Sequence, residues 1–92
     1  MNNDTHRVHT LLKGHTDIVL CGEYFYPYLL TAGKDKIIKL WKIDELGHTK
    51  LFCNYLGHSD DVCGIAFFVE SRLIVSVSED KTIKLWPLCE SS

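Results

Sequence analysis

Five histidines, four cysteines and a scatter of Asp, Ser and Thr are the residues of this 92-residue chain whose side chains could do chemistry. The cysteines are Cys21, Cys53, Cys63 and Cys89. No two form Cys-x-x-Cys, and none stands at zinc-ligand spacing from a histidine. They read as free thiols filling strand positions in a reducing compartment, with no metal site and no disulfide framework. His, Ser and Asp are also the types of a nucleophilic triad, in which a carboxylate orients an imidazole that takes the proton of an attacking hydroxyl. Geometry and role define a triad, however, not residue types. The sequence has no Gly-x-Ser-x-Gly elbow to present such a hydroxyl and no glycine-rich phosphate loop. The His and Asp occur in duplicate, as a structural unit requires and a catalyst does not. No catalytic, cofactor-binding or metal residue is assigned, and the chain is read as not an enzyme.

The duplication decides the fold class. Asp35-Lys36-Ile37-Ile38-Lys39-Leu40-Trp41 returns as Asp80-Lys81-Thr82-Ile83-Lys84-Leu85-Trp86, changed at one position. Gly14-His15-Thr16-Asp17 returns as Gly57-His58-Ser59-Asp60. The Gly-His marks lie 43 positions apart and the tryptophans 45. That is the period of a four-stranded propeller blade. A third Gly-His, Gly47-His48, lies too close to Trp41 to open a repeat and is read as part of a loop.

Short apolar runs, several rich in β-branched residues, alternate with turn signals, and no stretch holds a helical apolar period over ten residues. The chain is therefore predicted to be all-β and antiparallel. Strands are expected near residues 18–24, 28–32 and 37–43, then 50–55, 62–68, 73–78 and 82–88, with a short outer strand at residues 10–13. Ile37, Leu40 and Trp41 flank Lys39 as in a strand with one face partly wet. Turns are expected at Tyr26-Pro27-Tyr28, Gly33-Lys34-Asp35-Lys36, Glu70-Ser71-Arg72 and Ser78-Glu79-Asp80-Lys81, and a charged loop over residues 44–49.

Gly-His followed by Trp, with Asp six residues before that Trp, resembles the WD-repeat family across most of the chain. Two copies in register make the resemblance specific. The dipeptide that names the family is missing, since Lys42 follows Trp41 and Pro87 follows Trp86. The resemblance implies a β-propeller built from four-stranded antiparallel blades, of which about two are present as an incomplete ring. It also implies a buried polar network in each blade: His15, Thr31, Asp35 and Trp41 in the first, His58, Ser76, Asp80 and Trp86 in the second. The residue types suit it. Asp in a tight turn accepts backbone N–H groups while holding an imidazole, and a hydroxyl can bridge that imidazole to an indole N–H.

Composition narrows the partners. With 46% hydrophobic and 24% charged residues the chain is globular in character, not disordered. A formal charge of −2 and no basic stripe give no support for direct nucleic-acid binding. Lys34, Lys36, Lys39, Lys81 and Lys84 read as solvated strand faces and turns, or alternatively as a weak patch for an acidic partner. Tyr24, Phe25, Tyr26, Tyr28, Phe67 and Phe68 read as core and inter-blade packing, with an exposed rim facing a partner as the second reading. No signal peptide and no apolar run near the roughly 20 residues that cross a bilayer are present, so an intracellular protein without a membrane is expected. The sequon Asn3-Asp4-Thr5 is read as chance.

The organisation expected is a polar tail over residues 1–9, an outer strand plus the first repeat over 10–56, a second repeat lacking its last strand over 57–88, and a tail over 89–92. One complete blade lies near residues 17–56. Two repeats cannot close a ring. Either the chain is a piece of a longer repeat protein, or it self-associates through open blade edges, the strand at residues 10–13 of one copy completing the last blade of the next. Three copies then give six blades and four give eight. The phrases at residues 13–20 and 82–88 resemble a WD-repeat component of the small-subunit processome. This implies a nucleolar scaffold for other proteins of a ribonucleoprotein complex, active in pre-ribosomal RNA processing and without a cofactor. The alternative is a generic adaptor, such as a ubiquitin-ligase substrate receptor or a signalling scaffold, in the cytoplasm.

Overall fold

The computed structural model describes residues 11–88, and within them every regular element is a strand. β1 (Val19–Phe25), β2 (Tyr28–Gly33), β3 (Ile37–Ile43) and β4 (Thr49–Leu56) form one antiparallel sheet in chain order. β5 (Val62–Phe68), β6 (Leu73–Ser78) and β7 (Ile83–Pro87) form a second. Each β-branched run became a strand of the expected place, and the charged loop shortened by one residue because Thr49 joins β4. These are the sheets of partial propeller blades, and the ring is open.

Register explains which side chains are buried. In a strand successive side chains point to opposite faces, so paired residues line up in rows across the sheet. The row Leu30, Leu40 and Cys53 and the row Ala32, Ile38 and Tyr55 lie on one face. Leu30, Ala32, Ile38 and Leu40 are fully buried there and, with Tyr55 of β4, form one core with Val62 and Ile74 of the second sheet and Leu88 just after it. Burying a side chain of that size contributes roughly 1.5–3 kcal/mol. The opposite face carries the row Gly22, Thr31, Lys39 and Asn54 and the row Leu29, Trp41 and Leu51. The equivalent row of the second sheet is Ile65, Ser76 and Lys84. Both first strands carry a register shift at the same place, between Val19 and Cys21 and between Val62 and Gly64.

Three expectations are corrected. Residues 11–13 form no strand and Leu11 is exposed, while Thr10 lies outside the described residues. An isolated outer strand needs a hydrogen-bonding neighbour, and no described strand runs beside it. Lys39 is not solvated. It is 6% exposed, because β4 covers it from the side and its Nζ donates to Asn54 Oδ1 at 2.9 Å. β3 as a whole has no wet face over Ile38–Trp41, since the second sheet packs on one side and Gly14 approaches on the other.

The aromatics divide. Phe67 meets Phe25 and Tyr28 with centroids 6.2 and 5.8 Å apart, joining the sheets at the β1–β2 and β5–β6 turns. Tyr24, Tyr26 and Phe68 are exposed at the same end.

Candidate functional site

The two sets of His, hydroxyl, Asp and Trp come together, one set in each sheet, at the end carrying the β2–β3 and β6–β7 turns. Each turn is closed locally. Lys36 N–H donates to Gly33 O and Lys81 N–H to Ser78 O, both at 3.1 Å. The lysine that ends each turn takes the left-handed conformation, with φ of 71° at Lys36 and 74° at Lys81. That conformation turns the chain back into β3 or β7 and leaves the preceding aspartate aimed inward.

In the first sheet Asp35 Oδ2 accepts from His15 Nδ1 at 2.8 Å and from Thr16 N–H at 3.1 Å, and its Oδ1 accepts from Ile37 N–H at 3.2 Å. His15 Nε2 lies 2.7 Å from Thr31 Oγ1, to which Trp41 Nε1–H donates at 2.8 Å. The second sheet repeats the pattern. Asp80 Oδ2 accepts from His58 Nδ1 at 2.9 Å and from Ser59 N–H at 3.0 Å. His58 Nε2 lies 2.6 Å from Ser76 Oγ, and Trp86 Nε1–H donates to that oxygen at 2.8 Å. Thr82 replaces Ile37 and adds a hydroxyl that donates to Asp80 Oδ1, beside its own N–H at 2.9 Å.

Donor and acceptor roles fix the neutral tautomer. A carboxylate only accepts and an indole N–H only donates. Nδ1 therefore carries the imidazole proton, and the hydroxyl donates to Nε2 while accepting from the indole. Every group is used, and no buried side-chain nitrogen or oxygen among the described residues is left without a partner. Burial alone would raise the Asp35 carboxyl, but the bonds from His15, Thr16 and Ile37 outweigh it and hold the carboxyl below its ordinary range. Asp80 is lowered further, first by the Thr82 hydroxyl, then against burial by His58 and the Ser59 and Thr82 N–H groups.

The same geometry bears on the triad reading. Ser76 has no exposed surface and its oxygen already carries the Trp86 N–H, so no substrate carbonyl can reach it. Among the described residues no three His, Cys, Asp or Glu side chains are grouped to hold a metal ion. No described helix is long and apolar enough to cross a membrane.

Sequence reasoning missed why glycine precedes each histidine. A Cβ on Gly14 would meet Trp41 Cη2 at 3.2 Å, and one on Gly57 would meet Trp86 Cη2 at 2.8 Å. The glycine gives room for the indole whose N–H ends the chain of bonds. The signal was present, since both Gly-His marks precede a Trp at similar distance and the third does not. Gly47-His48 serves the β3–β4 loop instead. Gly47 has φ of 87°, and the exposed His48 meets Asp44, at 3.2 Å between Nδ1 and Oδ2.

An open hollow of about 330 Å³ lies at the other end of the first sheet, lined by Lys42, Ile43, Asp44, His48, Thr49 and Lys50. Lys42 Nζ stands 5.3 Å from the Phe52 ring centre and 5.9 Å from that of Tyr28, a geometry that favours a cation over aromatic faces.

Antiparallel sheets repeated at this period, each with a Gly-His histidine bonded through a hydroxyl to the Trp of its third strand, are blades of one repeating propeller class. The chain matches the WD domain, G-beta repeat family over residues 5–42 and 49–87, and it belongs to that family. It is 37% identical to Transducin beta-like protein 3 of Mus musculus over 84 residues, 88% of this chain and 10% of that protein. It is 42% identical over 83 residues to Small ribosomal subunit protein RACK1 of Neurospora crassa, covering 86% of this chain and 25% of the relative. Nuclear distribution protein PAC1 of Gibberella zeae is 35% identical over 63 residues, 68% of this chain and 13% of its own length. The chain thus spans between a tenth and a quarter of the length of these relatives.

Proposed function

We propose that this chain is a non-catalytic scaffold that binds other proteins, and that it works in the nucleolus in assembly of the small ribosomal subunit. The observation that carries the scaffold reading is the contrast between the two ends of the sheets. At the Gly-His end the groups able to do chemistry are consumed in internal hydrogen bonds. At the opposite end Tyr24, Phe25, Tyr26 and Phe68 are each about half exposed. Aromatic side chains of this kind are enriched in the centres of protein interfaces, where they bury large areas at little entropic cost. The ribosomal setting rests on the resemblance of residues 13–20 and 82–88 to a processome component. The relative named as a small ribosomal subunit protein is in keeping with it. Direct contact with RNA is no part of the reading, because the chain carries a formal charge of −2 and no basic stripe.

Affinity capture of the tagged protein followed by mass spectrometry tests it. Small-subunit processome proteins are expected, and the joint substitution Tyr24→Ala, Tyr26→Ala and Phe68→Ala is expected to reduce their recovery while leaving the sheet signal intact. Recovery of ubiquitin-ligase or signalling subunits in their place would overturn the setting. Undiminished recovery by the triple variant would overturn the aromatic rim as the docking surface.

A further inference from the structure

We infer that the hollow beside the β3–β4 loop docks a short acidic and apolar peptide segment of a partner protein, whose carboxylates are held by Lys42 and Lys50. The inference rests on the reading of the aromatic rim as a protein-binding surface and names the chemistry that the partner brings to it.

Register throws the two lysines together. Lys42 of β3 stands directly opposite Lys50 of β4, and Tyr28 of β2 stands opposite Lys42 on its other side. Like charges facing each other across a strand pair destabilise a sheet. Both lysines are exposed, and among the described residues neither has a carboxylate within ion-pair distance. Asp44 lines the same hollow but is turned into its own loop. Its Oδ1 accepts from the Leu46 and His48 N–H groups, both at 2.9 Å, and its Oδ2 faces His48 Nδ1.

The repeat does not require this arrangement. The third strands of the two sheets are nearly identical up to Trp41 and Trp86 and then part. Pro87 takes the place of Lys42, and Leu73 pairs with Pro87 as Tyr28 pairs with Lys42. The second sheet thus completes the same row without a cation. The lysine pair costs the first sheet stability that an anionic visitor would offset.

The surroundings suit a peptide. Ile43 and the aliphatic stems of the lysines give apolar walls to a hollow of about 330 Å³. The Lys42 ammonium is held over the Tyr28 and Phe52 rings, so it is positioned before an anion arrives. The hollow also runs into the rim. Ile43 donates its N–H to Pro27 O at 2.7 Å, and Pro27 lies between Tyr26 and Tyr28. Tyr28 meets Phe67, which meets Phe25. A segment running from Phe25 and Tyr26 towards the β3–β4 loop therefore crosses aromatic surface first and paired cations next. Apolar and carboxylate side chains in close succession match that order. A short peptide places its few charges at the lysines, whereas a nucleic acid would spread phosphates over a chain of net charge −2.

Fluorescence anisotropy with the intact protein tests this, using a short fluorescein-labelled peptide of alternating Glu and Leu beside the same peptide with Gln in place of Glu. The acidic peptide is expected to bind more tightly, and added salt is expected to weaken it while leaving the Gln peptide unchanged. Lys42→Gln with Lys50→Gln is expected to weaken the acidic peptide by about tenfold, the combined effect of two exposed ion pairs. Lys34→Gln with Lys81→Gln removes the same charge from exposed positions at the Gly-His end and is expected to change neither affinity. Sheet circular dichroism checks that each variant is folded, and the salt titration of the wild type needs no variant at all. Absent binding of the acidic peptide, equal or equally salt-sensitive affinity for the two peptides, a Lys42 and Lys50 variant that binds as wild type does, an equal loss in the control pair, or tighter binding of a labelled single-stranded RNA would each overturn the inference. The rim stands or falls separately, because the lysine variant keeps Tyr24, Tyr26 and Phe68 and the aromatic variant keeps both lysines. A loss with the aromatic variant alone would leave the rim in place and strike the lysines.

Discussion

His58 has no exposed side-chain surface, and its Nδ1 meets the Asp80 carboxylate while its Nε2 meets the buried Ser76 hydroxyl. Replacing it with Ala strands the Ser76 hydroxyl, itself fully buried, and removes one of the donors to Asp80. A buried polar group left unpaired costs about 1–3 kcal/mol, so His58→Ala is expected to lower the unfolding free energy by that amount in a denaturant titration. The pH dependence follows from the aspartates. Both Asp35 and Asp80 have folded-state carboxyls held below the ordinary range. The folded chain therefore binds fewer protons than the unfolded one in that interval, and stability rises with pH there. Their contribution is complete above about pH 4, the ordinary aspartate value, and is lost as pH falls through the lowered values. Melting temperature is expected to drop below that pH, and the drop is expected to be shallower in His58→Ala, where Asp80 is less perturbed. Equal acid limbs in the two proteins would show that the bond from His58 does not set the Asp80 carboxyl.

At the scale of the element, the two β-turns that aim the aspartates carry a hidden strain. A side chain with φ near +70° brings its Cβ close to the neighbouring carbonyl, which costs roughly 1–2 kcal/mol and is the reason glycine favours such positions. Lys81 is exposed and holds that conformation. Lys81→Gly is expected to raise the unfolding free energy, by up to about 1 kcal/mol once the greater freedom of glycine in the unfolded chain is subtracted. A neutral or destabilising result in a thermal melt would mean that the Lys81 side chain makes contacts worth as much as the strain. This left-handed turn was not legible in the sequence, because lysine gives no sign of it. The strands were legible, because β-branched runs between turn residues are a local property. The partnership of His15 with Thr31 and Asp35 was suggested only by the duplicated pattern and the family resemblance. Lys39 was misread because its burial depends on Asn54, fifteen residues further on and in the adjacent strand, which no local pattern encodes. Residues 11–13 failed as a strand for a related reason, since an outer strand is made by its neighbour.

At the scale of the whole molecule, position in the repeat does not set the energy of a side chain; the neighbouring blade does. Leu40 and Leu85 occupy equivalent sites in nearly identical strands, yet one is fully buried and the other mostly exposed. Leu40 sits in the core that both sheets share. Leu40→Ala is therefore expected to cost about 2–5 kcal/mol, the range for emptying such a site, and to weaken both sheets in one transition. Total stability for a chain of this length is on the order of 5–14 kcal/mol, so that loss is large enough to read directly. Leu85→Ala should behave differently. In a single chain it removes exposed surface and is expected to change stability by no more than about 0.5 kcal/mol. In a denaturant titration the midpoint of Leu40→Ala is expected to fall well below that of wild type, while that of Leu85→Ala stays close to it. Equal losses at the two positions would mean that packing by the second sheet is not what gives Leu40 its energy.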